Sequence, residues 1–159
     1  MSQESNEHKC QCQCGSTEFT AVGDPILRVI CHCTICQEFN DAAYADISIF
    51  LSKDVELLNA ETVSLQQYKA PPAVQRGKCI ACSNPAIEFL ELPLFPALTI
   101  IPTGTFPDEA RLPGPVAHLF YHRRVSDIDD ALPKYEGFMK SQFALTRKLL
   151  PGLFRRLIK

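Results

Sequence analysis

The chain has 159 residues, of which 46% are apolar and 21% are charged, and it contains twelve prolines against seven glycines. This composition excludes collagen-like, fibrous and wholly disordered proteins, and the length allows one domain with a buried core. The many prolines predict a chain that is divided into short segments.

The net charge of −2 is divided unevenly along the chain. Residues 1–137 carry ten basic and eighteen acidic side chains and have a net charge of −8. Residues 138–159 carry six basic and no acidic side chains, for a net charge of +6. The acidic body is unsuited to nucleic acid, so any attraction to a polyanion or an anionic membrane belongs to the basic end.

Strands dominate the predicted elements. After a polar leader (1–9), strands are predicted at 10–15, 26–30, 43–50, 62–68, 86–92 and 116–121, with a turn or single helical turn at 52–55. The segment 92–115 holds six prolines and predicts extended chain and turns. A mainly β domain over 10–137 is therefore expected, followed by a basic, amphipathic helical tail over 138–159.

The tail has apolar residues at helical spacing, namely Met139, Phe143, Leu150, Leu153, Phe154 and Leu157, with basic residues on the other side, namely Lys148, Arg155, Arg156 and Lys159. Pro151 and Gly152 predict a break, and so two short helices. We expect the apolar face to dock on the domain or on a second subunit. Contact with a membrane is the alternative.

Eight cysteines require an explanation that depends on the compartment. The N-terminus is polar and lacks the apolar stretch of a secretory signal, and no run of eighteen apolar residues predicts a membrane span. We therefore expect a cytoplasmic protein with reduced thiols, in which clustered cysteines more often bind metal than form disulfides.

Two cysteine pairs predict a closed, structural zinc site. Cys12 and Cys14 would share one face of a strand, and Cys79 and Cys82 would converge on a tight turn. Four thiolates fill the tetrahedron that Zn²⁺ prefers. Two alternatives are unrelated buried thiols and a shifted register in which Cys10 pairs with Cys12.

A denser group, Cys31, Cys33 and Cys36, predicts a second zinc with one open position, and hence a reactive site. Three thiolates give this zinc a net charge of about −1, which favours binding an incoming thiol over activating water. The alternative is a second structural zinc whose fourth ligand is Cys10 or His32.

Other polar residues carry less information. His32 lies between two presumed ligands on a presumed strand, so we expect it at the surface or behind the ligands. His118 is expected to be a core histidine, and Asp127, Asp129 and Asp130 are expected to stay solvated at a turn.

These motifs together resemble the glutathione-dependent formaldehyde-activating enzyme family, which includes centromere protein V. The residues that carry the resemblance are Cys12-Gln13-Cys14-Gly15, Cys31 to Cys36, Arg76 to Cys82, Pro115 to Phe120 and Ile128 to Gly137. The resemblance covers roughly residues 10 to 137. The chain departs from the family pattern at residues 37–40 (Gln-Glu-Phe-Asn) and at Ser83, which stands in place of a glycine.

The resemblance implies an Mss4-like fold of coiled antiparallel sheets around a structural zinc. It implies that Cys12, Cys14, Cys79 and Cys82 hold the structural zinc, and that Cys31, Cys33 and Cys36 hold the catalytic one. The reaction implied is that of a carbon–sulfur lyase on an adduct such as S-hydroxymethylglutathione. Glutathione is the first candidate thiol, but Glu38 and Asn40 predict weaker binding than for a less anionic thiol. The alternative function is a non-catalytic zinc-stabilised module that binds a partner or polyanion through its tail.

Overall fold

A computed structural model describes residues 6–68 and 74–158. The strands and helices in chain order are β1 (Glu7–Gln11), β2 (Glu18–Val22), β3 (Leu27–Cys31), α1 (Thr34–Asn40), β4 (Ala45–Leu51), β5 (Val55–Leu57), β6 (Val63–Gln67), β7 (Val74–Cys79), β8 (Pro85–Leu90), β9 (Leu98–Pro102), β10 (His118–Leu119) and α2 (Phe138–Leu157). The chain divides into two compact units, the described parts of Met1–Pro25 with Ile49–Pro113, and Ile26–Ser48 with Gly114–Lys159.

The first unit is built from antiparallel strands. β1, β2 and β5 form a three-stranded sheet in that order, and β6, β7, β8 and β9 follow one another as antiparallel neighbours. Side chains alternate between the core and solvent, so that Phe19 and Ala21 of β2 are fully buried. They pack in one core with Phe50, Ile87 and Ile101.

The second unit combines β3 and β10, which are parallel, with both helices. α1 follows β3 almost directly, and it ends at Asp41, which adopts a left-handed conformation and donates its backbone N–H to the carbonyls of Gln37 and Glu38. α2 packs against β3 and β10, and it buries Ser141, Ala144, Leu149 and Leu153.

The mainly β architecture and the helical end are confirmed, but several predicted details are wrong. Residues 12–15 form a turn, and strand character in 116–121 is confined to two residues. β2, β5, β7, β9 and α1 were not predicted as such. β9 forms inside the proline-rich segment 92–115. A strand is possible there because the only proline of β9, Pro102, stands at its last position, where it interrupts no backbone pairing within the strand.

The tail forms one helix rather than two. Pro151 lies inside α2 and removes one backbone hydrogen bond, but Leu149 and Leu153 are buried on either side of it and hold both halves in place. Gly152 fits closely here, since a Cβ atom at this position would lie 2.8 Å from Cγ2 of Ile26. Tertiary packing therefore keeps the helix continuous through Pro151. Local helix propensity, on which the prediction of a break depended, takes no account of such packing.

Candidate metal centres

The first candidate centre, which we call the four-cysteine cluster, brings together the sulfurs of Cys12, Cys14, Cys79 and Cys82. All four Sγ atoms lie within 4.8 Å of one another. The Cys12 and Cys14 sulfurs are 3.5 Å apart, and those of Cys14 and Cys79 are 3.7 Å apart. A tetrahedron with bonds of about 2.3 Å to zinc has sulfur–sulfur edges of about 3.8 Å, so these spacings suit a thiolate-bound metal.

Two turns hold this cluster. The turn after β1 carries Cys12 and Cys14, which corrects the prediction that this pair lies on a strand. Cys79 ends β7 and Cys82 lies in the turn that follows, which is closed by a 2.8 Å hydrogen bond from the Ser83 N–H to the Cys79 carbonyl. Ser83 has a φ of 60°, which explains why a glycine suits this position of the motif.

The surroundings of Cys79 in the four-cysteine cluster favour its thiolate form. Burial raises the pKa of Cys79, but hydrogen bonds from Thr17 and from the backbone of Cys82 and Ala81 outweigh it and lower that pKa to about 6. The Thr17 N–H also donates to Cys12 Sγ at 3.3 Å. Since only the thiolate form binds metal well, these donors prepare the ligands for a cation.

The second candidate centre, which we call the three-cysteine cluster, contains Cys31, Cys33 and Cys36. Their sulfurs lie within 4.8 Å of one another. Cys31 ends β3, Cys33 precedes the first turn of α1, and Cys36 lies within that helix and donates its N–H to Cys33 Sγ at 3.3 Å. The change from strand to helix within six residues is what folds the three side chains together.

The crowding of these sulfurs makes ionisation difficult without a cation. Hydrogen bonding to Cys33 and burial raise the pKa of Cys31 to about 12, and the pKa of Cys36 is likewise raised by hydrogen bonds to Cys31 and Cys33. A bound divalent cation would reverse this balance by stabilising the thiolates. The donor set therefore fits a soft metal ion.

No fourth His, Cys, Asp or Glu from the described residues belongs to the three-cysteine cluster. Cys10 is buried in the core of the first unit, where its thiol donates to the His8 carbonyl and burial raises its pKa to about 12. His32 is also outside the group of three sulfurs. Neither of the two fourth ligands that the sequence suggested joins the cluster in this structure.

Instead, His32 begins a buried chain of hydrogen bonds. Its Nε2 lies 2.9 Å from Nδ1 of His118, and Nε2 of His118 lies 2.8 Å from Oδ2 of Asp130. Both rings are at most 1% exposed, which corrects the surface position allowed for His32. Asp130 is exposed, as expected for a solvated turn residue, but its carboxylate is also bonded to Lys134 and His118, and these two residues hold its pKa well below the usual range.

Within the described residues, Nδ1 of His32 is a buried atom that has no hydrogen-bond partner. In one arrangement of protons along this chain of bonds, the Asp130 carboxylate accepts from His118 Nε2–H, and Nδ1 of His118 accepts from His32 Nε2–H. His32 Nδ1 is then a lone-pair acceptor. Burial lowers the pKa of His32 to about 4, which keeps that ring neutral at pH 7. Buried acceptors normally have a donor, so this atom is a candidate contact for a bound molecule.

Sequence reasoning missed the link between His32 and Asp130, because the two are 98 residues apart. The segment that carries Asp130 returns to β10, where the His118 N–H donates to the Pro133 carbonyl and the Tyr135 N–H donates to the His118 carbonyl, each at 2.9 Å. The only signal in the sequence was the leucine-proline motif near Pro133, in the segment 128–137 on which the family resemblance partly rested. That motif marks a backbone pairing that places Asp130 next to His118.

Residues 37–40, where the chain departs from the family pattern, have structural contacts. The Gln37 side-chain amide donates to the carbonyls of His32 and Arg123, at 2.7 and 2.8 Å. Phe39 is fully buried, and the Asn40 amide donates to the Cys36 carbonyl at 2.8 Å. Glu38 is exposed. Gln37, Phe39 and Asn40 therefore hold α1 and the backbone of the three-cysteine cluster in place.

The sequence model for the family described as "Glutathione-dependent formaldehyde-activating enzyme" matches residues 7–123, well over half of the chain. The chain belongs to this family. A search of curated proteins finds no match. A crystal structure of a Rhodobacter sphaeroides protein is similar at 17% identity with a TM-score of 0.45, over 65% of this chain and 90% of that one. At that level the structural likeness carries no argument.

Family membership accounts for the cysteine pattern and leaves the end of the chain unexplained. The match covers both cysteine clusters, β10 and the segment through Arg123. It does not reach Asp130 or α2. Family membership therefore supports a role related to glutathione-dependent formaldehyde activation. Each of the two cysteine clusters could hold a metal ion.

Proposed function

We propose that this protein forms and breaks the carbon–sulfur bond of a small hydroxymethyl thiol adduct, as a zinc-dependent lyase-type enzyme, at the three-cysteine cluster. The observation that carries the proposal is the difference between the two clusters. The four-cysteine cluster supplies a complete tetrahedral ligand set, whereas the three-cysteine cluster lacks a fourth ligand among the described residues. Three protein ligands and an open position are the pattern of catalytic zinc sites.

Zinc bound by Cys31, Cys33 and Cys36 would supply a Lewis acid that keeps a substrate thiol ionised. In the forward direction the sulfur attacks formaldehyde, a carbon–sulfur bond forms, and the carbon–oxygen π pair moves to oxygen. The proton released by the thiol balances the proton that oxygen takes up, and the product is the hydroxymethyl thioether. The reverse reaction breaks the same bond. No oxidant or reductant is required.

The protein's own residues would orient the reacting groups and limit access of water. Ala45 packs in the same cluster as Cys31 and Cys36, and Ile47 and Phe120 pack against it, so the walls near the sulfurs are apolar. Such walls suit the carbon atoms of a small adduct. The unpartnered Nδ1 of His32 is the proposed acceptor for the substrate hydroxyl, and His118 and Asp130 hold that ring in position.

The second candidate function is a binding module without catalysis, in which both zinc ions are structural. The exposed basic helix α2 favours it, because this helix lies outside the family match. A turnover assay separates the two functions. Formation and breakdown of the hydroxymethyl adduct are followed with glutathione and with an uncharged small thiol, for the native protein, Cys33→Ser and Cys10→Ala.

Cys10→Ala is the matched control, since Cys10 is buried but belongs to neither cluster. The enzyme proposal predicts turnover by the native protein and by Cys10→Ala, and its loss in Cys33→Ser. Equal, background rates for all three proteins with every thiol would overturn the enzyme proposal and favour the binding module.

A further inference from the structure

Helix α2 carries two apolar faces, and only one of them is covered. The covered face contains Ser141, Ala144, Leu149 and Leu153. A second set, which we call the outer stripe, consists of Met139, Phe143, Leu150, Phe154 and Leu157. At 100° per residue these five fall within an arc of about 60°. All five were expected from the sequence to lie on a docked face, but four of them are exposed and Leu150 is half-buried.

The outer stripe is highly accessible along the length of the helix. Met139 is 76% exposed, Phe143 68%, Phe154 61% and Leu157 52%, and Leu150 is half-buried. Single exposed apolar residues are ordinary on a protein surface, but a continuous row of large ones marks an interaction surface. Among the described residues, Phe138 and Ile158 are also exposed at the two ends of α2, and the remaining exposed large apolar side chains are distributed over separate strands and loops.

The charges on α2 indicate the kind of partner. Five basic residues lie within the helix and no acidic one does. Lys140 and Arg147 lie next to one edge of the outer stripe on the helical wheel, and both are exposed. The outer face thus combines apolar side chains with positive charge only. Two copies paired through the outer stripe would bring Lys140 and Arg147 of both helices, four cations in all, to one interface without an acidic residue on either helix, which opposes self-pairing.

We propose that α2 is a docking surface for an anionic lipid bilayer, lying flat in the interface with the outer stripe inserted. Apolar insertion combined with basic residues is the pattern of interfacial helices. No helix in the described part of the chain is long and apolar enough to cross a membrane. The covered face fixes α2 to β3 and β10, so the protein binds as a folded body. The acidic net charge of residues 1–137 requires that contact be made through the helix.

The first test uses the full chain and vesicles of phosphatidylcholine alone or with 30% phosphatidylserine. The chain has no tryptophan, so Phe154→Trp supplies a single reporter, and Leu65→Trp, at an exposed position of β6, is the matched control. We expect the Phe154→Trp emission to shift to shorter wavelength only with phosphatidylserine vesicles, and the Leu65→Trp emission to stay unchanged. Equal behaviour of both reporters would overturn the proposal.

The second test measures affinity by vesicle sedimentation. The triple variant Met139→Gln, Phe143→Gln, Phe154→Gln should lose at least about tenfold in binding. The triple variant Lys140→Gln, Arg147→Gln, Arg155→Gln should do the same, and the native protein should bind less at high salt. Because all six positions are exposed, circular dichroism and metal content should match the native protein. Vesicle binding that is undiminished in both triple variants would contradict the proposal. It would also be contradicted if the native protein were a dimer that does not bind vesicles, and if the first triple variant dissociated that dimer.

Discussion

The Nε2 atom of His32 and the Nδ1 atom of His118 lie 2.9 Å apart in the buried part of the second unit, and the two rings are stacked with a centroid distance of 5.1 Å. His32 stands between two of the three cysteines, whereas His118 stands on β10 and is bonded to Asp130. The pair thus links the backbone of the three-cysteine cluster to a carboxylate that is remote in sequence. Its role can be tested one nitrogen at a time.

The first prediction separates the two nitrogens of His32. Glutamine places a polar group near the position of Nε2 and can keep the contact with His118, but it lacks an acceptor at Nδ1. Asparagine does the reverse. If Nδ1 contacts the substrate, His32→Gln should lower kcat about tenfold or more with unchanged metal content, and His32→Asn should retain more activity. Equal losses in both variants would mean that the residue only supports the fold.

The second prediction concerns the pH dependence of stability. The pKa of His32 is about 4 in the folded protein, mainly because of burial, and about 6.5 in an unfolded chain. Between these values only the unfolded state binds the proton, so the free energy of unfolding should fall as the pH is lowered from about 6.5 to 4. The slope from this residue approaches about 1.4 kcal/mol per pH unit. In His32→Asn, this contribution to the pH dependence of the free energy of unfolding should vanish. Urea unfolding at several pH values measures it, and a slope equal to that of the native protein would contradict the lowered pKa of His32.

The third prediction concerns Gly77 in β7, where the backbone lies too close to its neighbours for a side chain. A Cβ atom there would lie 2.7 Å from the carbonyl oxygen of Ile87 and 2.6 Å from Cγ1 of Val63. Gly77→Ala should therefore reduce the free energy of unfolding by about 1–3 kcal/mol. Gly104→Ala is the control, since nothing lies within 4 Å of its Cβ position. Denaturant unfolding of the two variants should differ by that amount, and equal stabilities would refute the close approach.

The fourth prediction distinguishes the two clusters by their contribution to folding. We expect about two zinc ions per chain by elemental analysis of protein purified without chelator. Cys79 is 1% exposed and part of the core of the first unit, so Cys79→Ser should remove one zinc and prevent cooperative folding, because binding of a structural metal is part of the folding free energy. Cys33 is only partly buried, so the Cys33→Ser protein should lose one zinc ion but keep its fold. Equally severe unfolding in both variants would make both sites structural.

The sequence allowed the cysteine groups to be predicted because their spacing is local. Cys31, Cys33 and Cys36 lie within six residues, so a single strand-to-helix transition brings them together. Cys12 and Cys79 are far apart in sequence, and only the repeated pair pattern indicated that they meet. The predicted strand conformation of Cys12 and Cys14 was wrong. Two cysteines two residues apart converge in a tight turn as well as on a strand, so the spacing could not distinguish the two conformations.

Contacts that depend on tertiary packing could not be predicted. The path from His32 to Asp130 requires β10 to lie beside β3 and the Pro133 segment to lie beside β10, and neither pairing leaves a periodic signal. The continuity of α2 through Pro151 likewise depends on the burial of Leu149 and Leu153. Helical spacing alone could not decide which apolar side of α2 is covered, because both sides contain large apolar residues.

The central claim is that the three-cysteine cluster holds a metal with a position open to an incoming thiol, and cobalt substitution tests it most directly. Cobalt bound by thiolates has sulfur-to-metal charge-transfer bands, and soft thiolates compete well with water for such a site. We predict that these bands grow as a small thiol is titrated into the cobalt protein, with an uncharged thiol binding more tightly than glutathione, and that Cys33→Ser abolishes the change. A spectrum that already shows four sulfur ligands at the second metal, and that does not respond to any thiol, would contradict the account.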